Sequence, residues 1–335
     1  MTLDWGLIGA STIASQHMID AIRSVDGNHV ASVLSSSADR GVHYAHVNDI
    51  PTSTTDLTDL LSLPNLGAVY ISTTNEKHKN QALAAIAAGK HVMCEKPLAM
   101  SSADAVEMVV AAEKAGVVLA TNHHLRNAGS HLKIKQLIDT GRIGDVLAVR
   151  VFHAVYLPQS LQGWRINNPA AGGGVVPDIV VHDADTVGFH LGEYPVSVVG
   201  KEPASGLGQG VEDSVMSVWQ MPSGVQVQTH ESFTIPFADT GIEFHGTQGS
   251  IIARNVMTQQ PIGAIELRDA SGVSDIPYSD HSLYARSISL FMQAVAGKGL
   301  PSATGREGVR SLAVAEAVKQ ATTTGASVAV DYRGM

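Results

Sequence analysis

The sequence predicts an α/β protein in two parts, an N-terminal doubly wound parallel sheet followed by an α+β domain with a largely antiparallel sheet. Three observations carry this. A chain of 335 residues suits two domains better than one. Its first third alternates short, continuously apolar runs with helical patterns, as parallel strands buried on both faces require. From 196 to 267 the apolar period drops to two, the mark of strands with one buried and one wet face. The expected domains are 1–122 and 123–335.

In chain order, strands are expected at 5–8, 30–34, 68–71, 91–94 and 117–120. Helical patterns lie between them at 13–24, 79–88 and 102–115, the last two ending at Gly89 and Gly116. Strand, helix, strand in regular order implies right-handed crossovers and a covered parallel sheet. Beyond residue 122 the rhythm changes. A helix at 131–140 leads into an extended run at 146–156, then a loop-rich stretch holds Trp164 and Gly172-Gly173-Gly174. A strong helix follows at 177–191, with Pro177 in its first turn and Gly192 past its end. Val225-Gln226-Val227-Gln228-Thr229-His230 alternates apolar with polar, and helical patterns return at 283–295 and 307–323.

Composition excludes several classes. Apolar residues make up 44% and charged residues 16%, the latter below the usual ~25%, which rules out a disordered chain. Net charge is -9, from 22 Lys+Arg against 31 Asp+Glu, with no basic run to displace the counterions of a nucleic acid. A lone cysteine, Cys94, allows no intrachain disulfide and points to no oxidising compartment. The start lacks a basic and apolar leader, and runs such as 117–120 are far too short for a bilayer. A cytoplasmic protein without membrane or nucleic-acid partners is expected.

The first expected strand runs into Gly9-Ala10-Ser11-Thr12-Ile13-Ala14. Against the dinucleotide pattern G-x-G-x-x-G/A, Gly9 and Ala14 match and Ser11 replaces the second glycine. The pattern asks for a tight turn, then a helix whose N–H groups face a pyrophosphate, and Ser11 and Thr12 add hydroxyl donors. The second strand ends Leu34-Ser35-Ser36-Ser37-Ala38-Asp39-Arg40. No carboxylate stands at its tip to hold a ribose 2′-hydroxyl. Small hydroxyls followed by Arg40 suit a 2′-phosphate instead, hence NADPH, although Ser35 to Ser37 would equally cap the next helix.

Glu95-Lys96-Pro97 follows the strand at 91–94, and open parallel sheets bind ligands beyond their carboxyl ends. Lys96 is therefore expected in the crevice, with Pro97 fixing the backbone; Cys94 reads as a buried apolar residue. Asp178 and His182 stand four apart on the 177–191 helix, with Asp185 three further, so all share one face. The helix dipole alone would favour Asp178 there. The pair also suits an imidazole held as general acid or base, a structural histidine, or part of a metal site, which would want further ligands. Asn122-His123-His124 ends the last parallel run, and Trp164-Arg165 sits on an expected loop as an aromatic–cation pair. His43 and His46 read as a solvated helix face.

With these pieces in order, the chain resembles the glucose–fructose oxidoreductase/inositol dehydrogenase (Gfo/Idh/MocA) family. The likeness rests on Gly6-Leu7-Ile8-Gly9-Ala10-Ser11-Thr12-Ile13-Ala14, Ser72-Thr73-Thr74-Asn75-Glu76-Lys77-His78, Gly89-Lys90-His91-Val92-Met93-Cys94-Glu95-Lys96-Pro97, and Gly172-Gly173-Gly174 leading to Asp178 and His182. A closer likeness, to members that reduce a keto sugar, is carried by Thr121 to Asn127, Phe152 to Pro158, Gly163-Trp164-Arg165 and Asn255 to Gln259; Ser11 is shared with them.

The resemblance implies a Rossmann domain with NADPH along Gly9, Ala10, Ser11, Thr12, Ile13, Ser35, Ser36, Arg40, Ser72, Thr73, Thr74, Asn75, Glu76 and Lys77. It also implies cofactor contacts from Glu95, Lys96, Asn122, Trp164, Arg165 and Tyr284. Lys96 and His182 would be the catalytic pair, with Asp178 beside them and no metal needed. The implied activity is NADPH-dependent reduction of a ketone in a small sugar derivative. A sugar or inositol dehydrogenase running oxidatively, and an NADP-sensing regulator without activity, are the alternatives. The missing acid at the strand tip argues against the first, and Lys96 with His182 against the second. A monomer is expected, although the wet strand face at Gln226, Gln228 and His230 leaves a dimer open.

Overall fold

The computed structural model describes residues 2–203 and 206–335. Two compact units form, Met1–His124 with Ser282–Val309, and Leu125–His281 with Arg310–Met335.

In the first unit six strands, β1 (Leu3–Ile8), β2 (Asn28–Leu34), β3 (Thr52–Thr54), β4 (Leu66–Ile71), β5 (His91–Cys94) and β6 (Leu119–Thr121), are ordered β3-β2-β1-β4-β5-β6. Every pairing is parallel. The apolar runs have the expected effect: Trp5, Leu7, Ile8, Ala68, Val69, Tyr70 and Ile71 are all fully buried. Crossovers run through α1 (Ile19–Arg23), α2 (Ala38–Val47), α3 (Leu57–Leu61), α4 (His78–Ala87) and α5 (Ser102–Ala115), with one π-helical turn (Ala14–Met18) ahead of α1. Strand order reverses between β1 and β4, the place where such sheets bind ligands. The strand expected at 117–120 forms later, at Leu119–Thr121, because α5 ends in a left-handed Gly116 and Val117 N–H still donates back to Ala112 O (3.1 Å).

The second unit opens with α6 (Gly129–Asp139), β7 (Val146–Ala154), α7 (Gln159–Asn167) and α8 (Val181–Leu191). Then come β8 (Ser197–Lys201), β9 (Ser214–Gln220), β10 (Gln226–Ser232), β11 (Gly241–Gly246), β12 (Gly249–Arg254), β13 (Ala264–Asp269) and β14 (Gly272–Asp275). With β15 (Val328–Ala329) these make a nine-stranded sheet, β14-β13-β12-β11-β7-β10-β9-β8-β15. Only β7–β10 is parallel; the other pairings are antiparallel. Val227, Thr229 and Glu231 of β10 are buried and Gln226 and Gln228 exposed, as the alternation requires. A second π-helical turn (Val176–Val180) precedes α8, which is buried at every position from Val181 to Gly188.

Two expectations change. Trp164 and Arg165 do not lie on an irregular loop but on α7, which breaks at Gly163 (φ 32, ψ -129). The span 123–335 is also not one unit, since α9 (Leu283–Val295) returns to the first. There α9 packs on α1, and its Phe291 ring lies 5.1 Å from that of Trp5. The last helix, α10 (Gly305–Thr324), begins in the first unit and ends in the second.

Candidate active site

In the first unit the β1–α1 turn is tight because Gly9 takes a left-handed φ of 116° and lies against the next strand's tip. A Cβ on Gly9 would meet the Ser72 carbonyl carbon and oxygen at 3.1 Å. Ser11 and Ser72 join the two tips through hydroxyls 2.7 Å apart, while Ser11 Oγ accepts from Ala14 N–H (3.2 Å). Two α2 side chains brace the turn: Arg40 Nη2 donates to Ala10 O (2.7 Å) and Tyr44 OH to Ser11 O (2.8 Å). Thr12 is exposed and Ile13 half-buried, at the start of the π-helical turn's approach.

At the tip of β2, Ser36 and Arg40 are exposed and Ser35 is buried. Ser37 occupies the N-cap position of α2, yet its side chain makes no capping bond. Three residues expected at a nucleotide hold a buried polar atom without a protein partner: Ser35 Oγ, Asn122 Oδ1 and Tyr284 OH. Buried polar atoms rarely stay unpaired, so these fit a bound polar cofactor. Arg40 spends one of its five donors on Ala10 O, which leaves the guanidinium chemistry suited to a phosphate.

The Ser72–Lys77 loop leaves β4 with Asn75 buried, Thr73 and Thr74 half-buried, and Glu76 and Lys77 exposed. Thr73 Oγ1 donates to Gln81 (2.7 Å) and Thr74 Oγ1 to Glu76 (2.7 Å). His78 locks this loop to the one after β5, its Nδ1 lying 2.9 Å from Pro97 O and its Nε2 3.2 Å from Thr73 O. Burial holds the His78 pKa below the ordinary histidine value. Lys96 therefore sits between two fixed residues, because Glu95 is held as well. Glu95 Oε1 accepts from Tyr70 OH (2.5 Å) and Asn122 Nδ2 (2.7 Å). Burial raises the Glu95 pKa against the pull of those donors and of Lys96. Tyr284, on α9, stacks between His17 (4.9 Å) and His124 (5.7 Å).

In the second unit the glycine run closes α7 onto the turn before α8. A Cβ on Gly173 would strike Trp164 O at 2.6 Å, and Gly174 N–H donates to Arg165 O (2.8 Å). That closure brings Trp164, Arg165 and Asp178 together: the Arg165 guanidinium lies 4.8 Å over the Trp164 ring, its Nε 3.5 Å from Asp178 Oδ2. His182, one turn further, is 8% exposed, and its ring centroid lies 6.4 Å from that of His153. Asp185 shares the helix face but is bound by Arg126, whose Nε and Nη2 each donate to it at 2.7 Å.

Sequence reasoning missed Tyr44, Tyr70, Arg126, His153 and the bracing role of His78. Of these, His78, Arg126 and His153 stood in quoted motifs, and none carried a role. Among the described residues no group of three or more His, Cys, Asp and Glu is placed to hold a metal ion, and no helix is long and apolar enough to cross a membrane.

A β3-β2-β1-β4-β5-β6 parallel sheet with a glycine turn at β1 and unsatisfied polar atoms around it defines a dinucleotide-binding Rossmann fold. Residues 3–123 match the oxidoreductase family with an NAD-binding Rossmann fold, and 131–252 match the GFO/IDH/MocA C-terminal domain. The chain belongs to the Gfo/Idh/MocA oxidoreductase family. It is 54% identical over 328 residues, 98% of each chain, to 1,5-anhydro-D-fructose reductase of Ensifer adhaerens. It is 28% identical to inositol 2-dehydrogenase of Rhizobium meliloti, over 95% of this chain and 96% of that one. In fold it matches aldose-aldose oxidoreductase from Caulobacter crescentus complexed with glycerol, at TM-score 0.91 and 23% identity over 98% and 100% of the chains. Levoglucosan dehydrogenase in complex with NADH and L-sorbose matches at TM-score 0.89 and 21% identity over the whole of both chains.

Proposed function

We propose that this protein reduces the C2 ketone of 1,5-anhydro-D-fructose to 1,5-anhydro-D-mannitol with NADPH, in the cytoplasm and as a monomer. The observation that carries this is 54% identity over 98% of both chains to the Ensifer adhaerens reductase. The absence of a carboxylate at the β2 tip, with Ser35 Oγ unpaired there, supports NADPH over NADH.

When bound, NADPH supplies the hydride that the ketone carbon accepts. Every other task falls to the chain. Ser35, Ser36 and Arg40 bind the 2′-phosphate, and Gly9 to Ile13 bind the pyrophosphate. The Ser72–Lys77 loop, Glu95, Asn122, Trp164, Arg165 and Tyr284 complete the cofactor's contacts. Lys96 carries the ammonium that stabilises negative charge on the substrate oxygen, fixed by Glu95 on one side and His78 on the other through Pro97. His182 gives the proton to that oxygen, contributing ~10²–10⁴-fold. Asp178 orients a substrate hydroxyl or His182, with Arg165 Nε 3.5 Å from its carboxylate.

The test is to mix the protein with NADPH and 1,5-anhydro-D-fructose, and separately with NAD⁺ or NADP⁺ and myo-inositol, while following nicotinamide absorbance. Rapid NADPH consumption with the sugar, and 1,5-anhydro-D-mannitol as the product by NMR, is expected. Inositol oxidation without sugar reduction would make it a dehydrogenase; cofactor binding without turnover on any ketose would make it a sensor.

A further inference from the structure

Behind His182 lies a buried array that the proposed mechanism leaves unused. His153 on β7 places Nδ1 2.8 Å from Asp183 Oδ1 on α8. Asp183 and Glu231 of β10 are both fully buried and lie within hydrogen-bonding reach of one another. Each also holds an oxygen without any donor, Asp183 Oδ2 and Glu231 Oε1. Two buried carboxylates side by side are strongly disfavoured, and one shared proton removes both the repulsion and the two orphaned oxygens.

The surrounding hydroxyls show where that proton sits. Trp219 Nε1–H can only donate, and it donates to Ser217 Oγ (2.8 Å). Ser217 Oγ lies 2.7 Å from Thr229 Oγ1, and with Ser217 as the donor of that pair each of the two hydroxyl hydrogens has an acceptor. Thr229 in turn donates to Glu231 Oε2 (3.1 Å). In that polarity the donors end on Oε2, and the oxygens left for a shared proton are Glu231 Oε1 and Asp183 Oδ2, the two without a partner. Burial first, then the neighbouring Asp183 charge, pushes the Glu231 pKa well above the carboxylate range, in accord with this polarity.

We propose that Asp183 and Glu231 share one proton, and that this pair fixes His153 with its hydrogen on Nδ1, leaving Nε2 as a hydrogen-bond acceptor for a substrate hydroxyl beside His182. The substrate half of this rests on the reductase reading above. His153 is then a specificity residue for polyhydroxylated carbonyl compounds, and Asp183 and Glu231 are positioning residues. A site built to pair with a hydroxyl discriminates against analogues that lack it, because its own polar atom is left unpaired.

Three variants and one spectrum test this. In protein with ¹⁵N-labelled histidine at pH 8, the His153 ring is expected with Nδ1 protonated and Nε2 bare. A ring protonated on Nε2 would overturn the proposal, since Asp183 would then be the donor and Glu231 the carboxylate. Glu231→Gln keeps an acceptor for Thr229 and an N–H for Asp183 Oδ2, so stability and the tautomer should be retained. Glu231→Ala should lose both; equal damage from Gln and Ala would refute the shared proton. His153→Asn keeps a donor for Asp183 and deletes Nε2. Its kcat/KM should fall about tenfold further for 1,5-anhydro-D-fructose than for butane-2,3-dione, mainly through KM. Equal losses on the two substrates would remove His153 from sugar recognition. If the unmodified protein does not reduce the sugar, the functional reading fails, while the histidine spectrum and the Glu231 pair still decide the proton's place.

Discussion

Arg126 and Asp185 meet through two parallel N–H···O contacts of 2.7 Å, with side-chain exposures of 8% and 1%. This pair settles which carboxylate on the Asp178–His182–Asp185 face belongs to the fold. Tyr194 OH accepts from the same guanidinium (3.1 Å), and Phe189 lies 5.4 Å beneath it. Arg126→Leu would strand a buried carboxylate, at a cost of about 3–5 kcal/mol in urea unfolding. Arg126→Leu with Asp185→Leu should recover most of that loss. A double variant as unstable as the single one would show that packing, not charge, accounts for the effect.

His182 is the expected proton donor, and Asp178, one helical turn before it, is engaged by Arg165. His182→Ala should lower kcat by ~10²-fold or more, with NADPH binding essentially unchanged by fluorescence titration. Full turnover in this variant would remove His182 from the mechanism.

Lys96 lies between residues held by Tyr70, Asn122 and His78. Lys96→Met keeps most of the side chain's bulk and deletes its charge. The expected loss is ~3 kcal/mol of transition-state stabilisation, the scale of one lost oxyanion donor. Steady-state kinetics decide between roles: a change in sugar KM alone would make Lys96 a binding residue.

Much of this is legible in the sequence. Buried parallel strands and the Gly9 turn are local patterns, and local patterns survive folding. The return of α9 to the first unit is not local. Its apolar face shows that Phe291 must be buried but not that Trp5 covers it. The helix carrying Trp164 is hidden by Gly163, which breaks it after one turn. The Asp183–Glu231 pair was half visible. Glu231 keeps the same strand parity as Val225, Val227 and Thr229, so period two alone puts a carboxylate on the buried face. Its partner on α8 is 48 residues earlier in the chain, and no spacing rule reaches it.

Three buried histidines make a prediction about acid. Burial lowers the pKa of His78 and His190, and takes that of His131 down to about 4 from 6.5. His131 Nδ1 faces His190 Nε2 at 3.0 Å, and its Nε2 faces Val256 O at 3.1 Å, an arrangement made by neutral rings. The unfolded chain takes up protons near 6.5 while the folded one resists until far lower. Unfolding therefore binds protons across that window, and stability falls as pH drops from about 7 to about 4. His131 alone contributes about 3 kcal/mol of this loss. Urea midpoints that stay level between pH 7.5 and 4.5 would contradict it.

Cofactor choice rests on the β2 tip, where NADPH differs from NADH by one phosphate. That phosphate needs donors and positive charge and must not meet a carboxylate. Ser35 Oγ is buried without a partner, Ser36 is exposed beside it, and Arg40 is exposed with one donor on Ala10 O. A hydrogen bond to a charged group contributes ~1.5–3 kcal/mol, or roughly 10–150-fold in affinity. Arg40→Ala should weaken NADPH by about that factor. Because the Arg40–Ala10 contact also braces the turn that both cofactors use, NADH should weaken too, by a smaller factor. Ser35→Asp should repel the phosphate and give the NADH ribose an acceptor, so NADH-dependent turnover should rise. Both effects should shrink in high salt, since Ser36 and Arg40 are exposed. Equal kcat/KM for NADH and NADPH in the unmodified protein would overturn the assignment.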